Sequence, residues 1–288
     1  MMYRQRSRRV YSRQWRPGLA FRPGVIVAVA MSWFVAPAAS LELISVQQEI
    51  EVGKQAQAQM RKETPALHDA AVTAYVNDVA ARLVRVAPGP KYPYSFTVAN
   101  TREINAFALP GGSVWIHRGV LQVAATESQV AGVLAHEIAH VAQRHSAEQV
   151  TRVAIANWGL GVLGAMLGNT GGASAAQVAG SFLASGAFLK FSRDEEREAD
   201  RVGLTLLTRA GWDARGMIEL FDILRREEGR DPSAVESFFS SHPSPQERID
   251  DLRAGVATHR GGRRDTPRFH AIKTRLLRST QPKTEHNR

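Results

Sequence analysis

The chain has 288 residues, 44% of them apolar and 22% charged, with a formal charge of +10; that is enough for one large or two modest domains, and too ordinary for a disordered or wholly membrane-embedded chain. With no cysteine it can hold no disulfide framework, thiolate zinc site or cysteine-linked lipid anchor. The basic balance suggests nucleic acid, but residues 1–22 carry seven arginines and no acid, and residues 260–288 nine Lys or Arg against Asp265 and Glu285, which leaves about −4 between them and argues against a nucleic-acid partner.

The N-terminal end has the layout of a targeting signal. A long positive region, "MMYRQRSRRVYSRQWRPGLAFR", precedes the apolar run "VIVAVAMSWFV" (25–35), and Ala36-Pro37-Ala38 fits a small-x-small cleavage site. Eleven apolar residues are too few for a bilayer span, which needs about 20. The expectation is therefore a signal peptide over 1–38, a mature chain from about Ala39, and a bacterial periplasmic location, with an uncleaved anchor as the alternative. Zero cysteines fit such a compartment without proving it.

Residues 45–86 read as two amphipathic helices broken at Thr64-Pro65, the second with Ala71, Tyr75, Val79 and Leu83 at spacings of four. "YSFTVAN" (94–100) and "INAFALPGGSVWIHRGVL" (104–121) have strand character, the latter as two strands joined at Pro110-Gly111-Gly112. Thr126 with Gln129 three residues on predicts a capping box that opens the next helix. The apolar, glycine-rich stretch 153–189 admits two readings, a flap or membrane-interfacial segment near the site and ordinary buried helices with a loop. A helix is predicted from about Asp194 to Ala210, closed by Gly211, with further helices to about Gly255. Residues 256–288 read as a basic, disordered tail, able to meet anionic lipid head groups or an acidic partner.

The chemistry is concentrated in "AGVLAHEIAHVAQRHS" (131–146). On a helix, positions i and i+4 share a face, so His136 and His140 can reach one ion while Glu137, one step round, meets a metal-bound water. Val133 and Leu134 place this helix against a core. A catalytic zinc takes three protein ligands and keeps one open position. Gln143 and Ser146 stand where a metzincin needs glycine and a third histidine; His145 is one residue too early and reads as a surface residue. The third ligand must come from another helix, and "FSRDEEREAD" (191–200) offers Glu195, Glu196 and Glu198, with Asp200.

His136-Glu137-x-x-His140 followed by "SRDEEREAD" resembles the HtpX/CAAX-prenyl-protease type of gluzincin metallopeptidases; "NAFALPGG", "SSHPSPQERI" and "EIEVGKQAQAQM" resemble in particular its exported, BepA-like branch. The likeness covers roughly residues 45–255 and implies an α+β, mainly α zincin-like domain over 39–255, with a small edge β-hairpin beside the active-site helix. It implies one zinc ion held by His136, His140 and Glu196, with Asp200 one turn on to hydrogen-bond a ligand histidine, and leaves Glu195 and Glu198 as solvated charges. It also brings His242 and Arg248 near the metal. Arg248 would stabilise an oxyanion; His242 would do the same, or swing in as a fourth ligand and shut the site. A plain turn at His242-Pro243 and a structural ion pair at Arg248 are the bland alternatives.

The expected activity is a zinc metalloendopeptidase of the cell envelope, with Glu137 as general base, acting on unfolded or misassembled outer-membrane proteins. An exposed edge strand would bind extended chains through main-chain hydrogen bonds. Expected partners are such substrates and the outer-membrane assembly machinery, with peripheral membrane contact through the tail or 153–189. A chaperone-like holdase with latent protease activity and a membrane-anchored protease are the competing readings.

Overall fold

The structure is a computed structural model that describes residues 44–167, 175–186, 190–243, 246–259 and 261–279, with side chains at 158–167 outside the description. The signal peptide expected at 1–38 lies outside the described residues, as do 168–174 and 187–189 of the glycine-rich stretch. Two helices open the described chain, α1 (Val46–Glu63) and α2 (Ala70–Val84). The first starts on a capping box of Ser45 and Gln48 and stops at Thr64, ahead of Pro65. The second is capped by Asp69 and buries Tyr75, Val79 and Leu83.

Three strands form the only sheet among the described residues: β1 (Ser95–Ala99), β2 (Ala106–Leu109) and β3 (Ser113–His117), in the order β1-β3-β2. β1 runs parallel to β3, and β2 and β3 form the expected hairpin, Ala106 opposite Ile116 and Leu109 opposite Ser113. Gly111, at φ 73°, makes the turn. Although β2 is an edge strand, all four of its residues are buried. The Ala106 amide donates to Asn105 Oδ1 at 2.8 Å, and Ser146 Oγ donates to the Ala108 carbonyl at 3.4 Å. The exposed edge expected from the sequence is therefore corrected: in this conformation the strand has no open face for an extended chain.

α3 (Arg118–Val123) leads to α4 (Glu127–Ala142), whose sixteen residues are all buried. The predicted capping box does not form: Thr126 makes no side-chain cap, and Gln129 Oε1 accepts instead from the amide of Ala125, one residue before the N-cap, at 2.7 Å. Then follow α5 (His145–Leu167), α6 (Ala175–Ser185), α7 (Arg193–Arg209), α8 (Arg215–Arg230), α9 (Pro232–Ser241), α10 (Gln246–Ala257) and α11 (Pro267–Ser279). The result is the mainly α, α+β architecture expected from the sequence. Two apolar clusters meet at the sheet, one built on α2, α4, α7 and α8, the other on α1, α6 and the face of the sheet that carries Phe107 and Trp115.

Two segments differ from their expected form. α6 packs against α1 and buries Val178, Phe182 and Leu183, so this end of the glycine-rich stretch is part of the core. The supposed disordered tail contains α11, which buries Phe269, Ile272 and Leu276 beside α2 and α3. The reason is periodicity: the three apolar side chains recur at steps of three and four along an otherwise basic helix. No helix among the described residues is long and apolar enough to cross a membrane.

One buried ion pair ties α1 to the rest. Glu49 is fully buried and accepts from Tyr92 Oη at 2.7 Å, Arg144 Nε at 3.1 Å and the Gly111 amide at 3.3 Å. Arg144 itself sits at φ 64°, a left-handed conformation costly for a side chain, and also donates to the Ile44 carbonyl at 2.8 Å. Glu49→Ala would remove the buried carboxylate shared by Arg144, Tyr92 and the Gly111 amide and should lower the free energy of unfolding by about 3–5 kcal/mol. Urea unfolding measures this; a loss below ~1 kcal/mol would show that the pair does not hold α1 in place.

Candidate active site

The site is built where α4 crosses α7. Both helices must come close for their side chains to converge, and Gly203 of α7 allows it: a Cβ there would lie 3.2 Å from the His136 Cα and amide nitrogen. α4 then presents His136 and His140 on one face, and α7 presents Glu196 and, one turn on, Asp200. α7 is started by the capping box of Ser192 and Glu195, so that Glu196 falls in the first turn. The tip of α9 brings in a fourth side chain, His242, which is 1% exposed.

These four side chains, His136, His140, Glu196 and His242, offer donor atoms that all lie within 4.8 Å of one another and could hold a metal ion. The His136 and His140 Nε2 atoms are 3.1 Å apart, and stand 3.5 and 3.4 Å from the two Glu196 oxygens. His242 Nδ1 lies 2.9 Å from Glu196 Oε1 and 3.4 Å from His136 Nε2. Bonds of about 2.0–2.1 Å to a tetrahedral zinc put neighbouring donors about 3.3 Å apart. The spacing therefore fits such an ion. Glu137 is fully buried beside the cluster; no side chain hydrogen-bonds its carboxylate, and the main chain of Ala108 on β2 approaches it. His242 Nε2 lies 3.4 Å from Glu137 Oε1.

The electrostatics favour a cation at this point. Burial penalises a charged His136, but hydrogen bonds and the charges of Asp200 and Glu196 outweigh it and push its pKa up to about 10. Burial alone would raise Glu196; His242, His136 and His140 hold it instead well below the ordinary carboxylate range. His140 is held well below its ordinary value, chiefly by burial. Burial pushes the Glu137 carboxyl up, against the pull of His242 and His136.

Around the cluster lies a second set of contacts. Asp200 Oδ1 faces His136 Nδ1 at 3.1 Å. Arg248, expected to point at an oxyanion, does something else: Nε and Nη2 donate to the two Asp200 oxygens at 2.7 and 2.9 Å, and Nη1 donates to the Pro243 carbonyl at 2.6 Å. Nη1 also makes an ion pair of 2.6 Å with Glu196. All three guanidinium nitrogens are thus engaged, with Asp200, Glu196 and the Pro243 carbonyl.

His145 lies elsewhere than expected. It is 2% exposed, not a surface residue, and its Nδ1 lies 2.9 Å from His140 Nδ1. On a continuous helix a residue five steps after His140 points away from it. α4 instead ends at Ala142, and the left-handed Arg144 turns His145 back before α5 begins. Glu198, expected to be solvated, faces His145 Nε2 at 3.4 Å and accepts from Gln143 Nε2 at 2.6 Å. The Glu198 side chain nonetheless keeps 43% of its surface exposed, whereas Glu195 is buried, bonded to Ser192 and to Arg152. Phe191 stacks on the His140 ring, centroids 3.8 Å apart. An apolar recess lined by Gly132, Val133, Met217, Leu220, Phe221 and Phe238 opens beside His136 and Glu137.

Comparison with known proteins agrees with this geometry. The chain is 36% identical over 216 residues to a beta-barrel assembly-enhancing protease of Yersinia pestis, a match that takes in 73% of this chain and 44% of the relative. It is 34% identical over 177 residues to the mitochondrial metalloendopeptidase OMA1 of Schizosaccharomyces pombe (62% and 51%), and 33% identical over 171 residues to the metalloprotease YcaL of Escherichia coli strain K12 (58% and 63%). The chain thus spans less than half the length of the first of these relatives. The model of peptidase family M48 matches residues 70–256, which contain the whole histidine–glutamate cluster, and the chain belongs to that family.

Proposed function

We propose that the protein is a zinc-dependent metalloendopeptidase of the bacterial cell envelope, acting on unfolded or misassembled proteins in outer-membrane quality control, in a form closed by its own His242. The observation that carries the reading is the convergence of His136, His140 and Glu196 next to a buried Glu137 whose carboxylate no side chain hydrogen-bonds. A zinc ion held there would lower the pKa of a bound water toward ~7 and polarise a peptide carbonyl. Glu137 is the group placed to take a proton from that water and to return it to the leaving amine, and its raised pKa suits both steps. The name of the Yersinia pestis relative, with its beta-barrel assembly, supports substrates and partners that take part in such assembly.

Two outer groups keep the ligand histidines in register. His136 Nε2 faces the cluster, so its Nδ1–H donates to Asp200, which Arg248 clamps. His140 Nε2 faces it as well, so its Nδ1–H donates to His145 Nδ1 and the His145 Nε2–H donates to Glu198. Arg248 and His145 are thus positioning residues.

His242 offers a fourth donor beside His136, His140 and Glu196 and approaches Glu137, so with an ion held there it would compete with water for the remaining position. Low basal turnover follows, and this favours as a second reading a holdase whose protease activity is latent.

Cleavage of casein by residues 39–288 with added zinc tests the first reading. The expected result is slow cleavage by the wild type, faster cleavage by His242→Ala, and a loss of about 10²–10⁴-fold in Glu137→Gln with zinc still bound. Retained turnover in Glu137→Gln would reject its role, and silence in both wild type and His242→Ala would favour the holdase. His145→Ala should weaken zinc binding by about 10–100-fold in chelator competition, with partial recovery in His145→Asn, whose amide oxygen can accept from His140. Equal affinity in all three proteins would remove His145 from the zinc site.

A further inference from the structure

A second site lies away from the histidine cluster. α2, the start of α4, Trp212, the segment around Arg263 and the start of α11 enclose a cleft of about 310 Å³. Four arginines line it, Arg82, Arg85, Arg263 and Arg268, against two acids, Asp78 and Glu127. Both acids are already engaged. Asp78 accepts from Arg268 Nη1 at 2.6 Å. Glu127, 4% exposed, accepts from Trp212 Nε1 at 3.0 Å, Thr266 Oγ1 at 2.5 Å and Tyr75 Oη at 3.4 Å, with Arg263 Nη1 at 4.0 Å.

Arg82 and Arg85, three residues apart on one helical face, have no ion-pair partner among the described residues. The C-terminal end of α2 favours cations by a few tenths of a kcal/mol, which accounts for these two. It does not account for the two that meet them from the opposite wall. Arg263 is held there by main-chain bonds, its amide donating to Gly211 at 2.7 Å and its carbonyl accepting from Asp213 at 2.9 Å. Its guanidinium lies 6.0 Å from the centre of the Trp212 ring, and that of Arg268 lies 5.6 Å from the Tyr75 ring. Asp78 pairs with Arg268 and Glu127 lies near Arg263, so the unbalanced charge is that of Arg82 and Arg85, and an anion between them would offset their repulsion. The cleft is several times larger than a bare oxyanion, and Tyr75, Val79 and Trp212 supply an apolar wall for whatever carries the charge.

We propose that this cleft binds a carboxylate carried on a small apolar body, through the forked donors of Arg82 and Arg85 with Arg263 closing the far side. A planar carboxylate matches the guanidinium fork, and the excess of two positive charges in the lining suits a monoanion. Two sources present this chemistry, a free organic acid and the C-terminal residue of a polypeptide. Arg263 and Arg268 lie beyond the residues matched by the family model, so the site depends on the C-terminal segment of this chain.

The test follows the Trp212 indole N–H, which donates to Glu127 at the cleft, in ¹H–¹⁵N spectra of the whole chain. The probes are N-acetyl-phenylalanine, its C-terminal amide, inorganic phosphate, and a pentapeptide ending in phenylalanine with a free or amidated terminus. Saturable shifts are expected with the acids, about tenfold weaker or absent with both amides, and weaker by about tenfold again in Arg82→Ala/Arg85→Ala, whose exposed positions leave thermal unfolding unchanged. Tighter binding of the peptide acid than of the free acid would identify a chain terminus as the source. Equal binding of acid and amide, binding of phosphate as tight as that of the acid, or no saturable shift would each overturn the proposal.

Discussion

The close crossing of α4 and α7 is the constraint on which the rest of the molecule depends. Gly203 lets the second helix come up against the backbone of the first at His136, and without that approach Glu196 could not reach the Nε2 atoms of both histidines. The crossing also buries Glu137, Glu196, Asp200 and Arg248, each at 4% exposure or less. Unpaired, such groups would be expensive to bury; here Glu196, Asp200 and Arg248 satisfy one another. Glu137 is the exception: no side chain hydrogen-bonds its buried carboxylate, which stays beside the histidine cluster.

Each ligand histidine is anchored twice, toward the candidate metal position by Nε2 and away from it by Nδ1. The outer anchors differ in kind. One is a carboxylate clamped by a guanidinium, the other a histidine facing a carboxylate on the next turn of α7. Two elements then close the front. α9 seats His242 in the cluster, and β2 faces the interior as an edge strand without an open edge. On the proposed function, access for a polypeptide would require α9 and His242 to move, because the side chain that would complete the coordination set is the one that blocks it.

Much of this was legible in the amino-acid order. His136, Glu137 and His140 follow from helical spacing alone, because a period of 3.6 residues puts positions four apart on one face. The hairpin at Gly111 and the breaks at Thr64 and Gly211 follow from turn and capping chemistry. Glu196 is different. Residue chemistry left it equal to Glu195 and Glu198, and only the resemblance of the surrounding motif distinguished it. The structure separates the three by direction: Glu195 turns back to cap α7, Glu198 faces His145, and Glu196 faces the histidines.

The sequence by itself determined the helical face that carries the histidines, the glutamate beside them, and the strand–turn–strand unit next to them, because each rests on contacts between residues a few positions apart. Only the tertiary structure decided what His145, Arg248, His242 and α11 do. A left-handed residue at Arg144 reverses the direction of His145, and partners 48 positions distant consume the donors of Arg248. A helix tip brings His242 to Glu196 across 46 positions, and a buried apolar stripe folds a basic tail onto α2. These outcomes depend on which surfaces meet in space, and periodicity and capping carry no record of that.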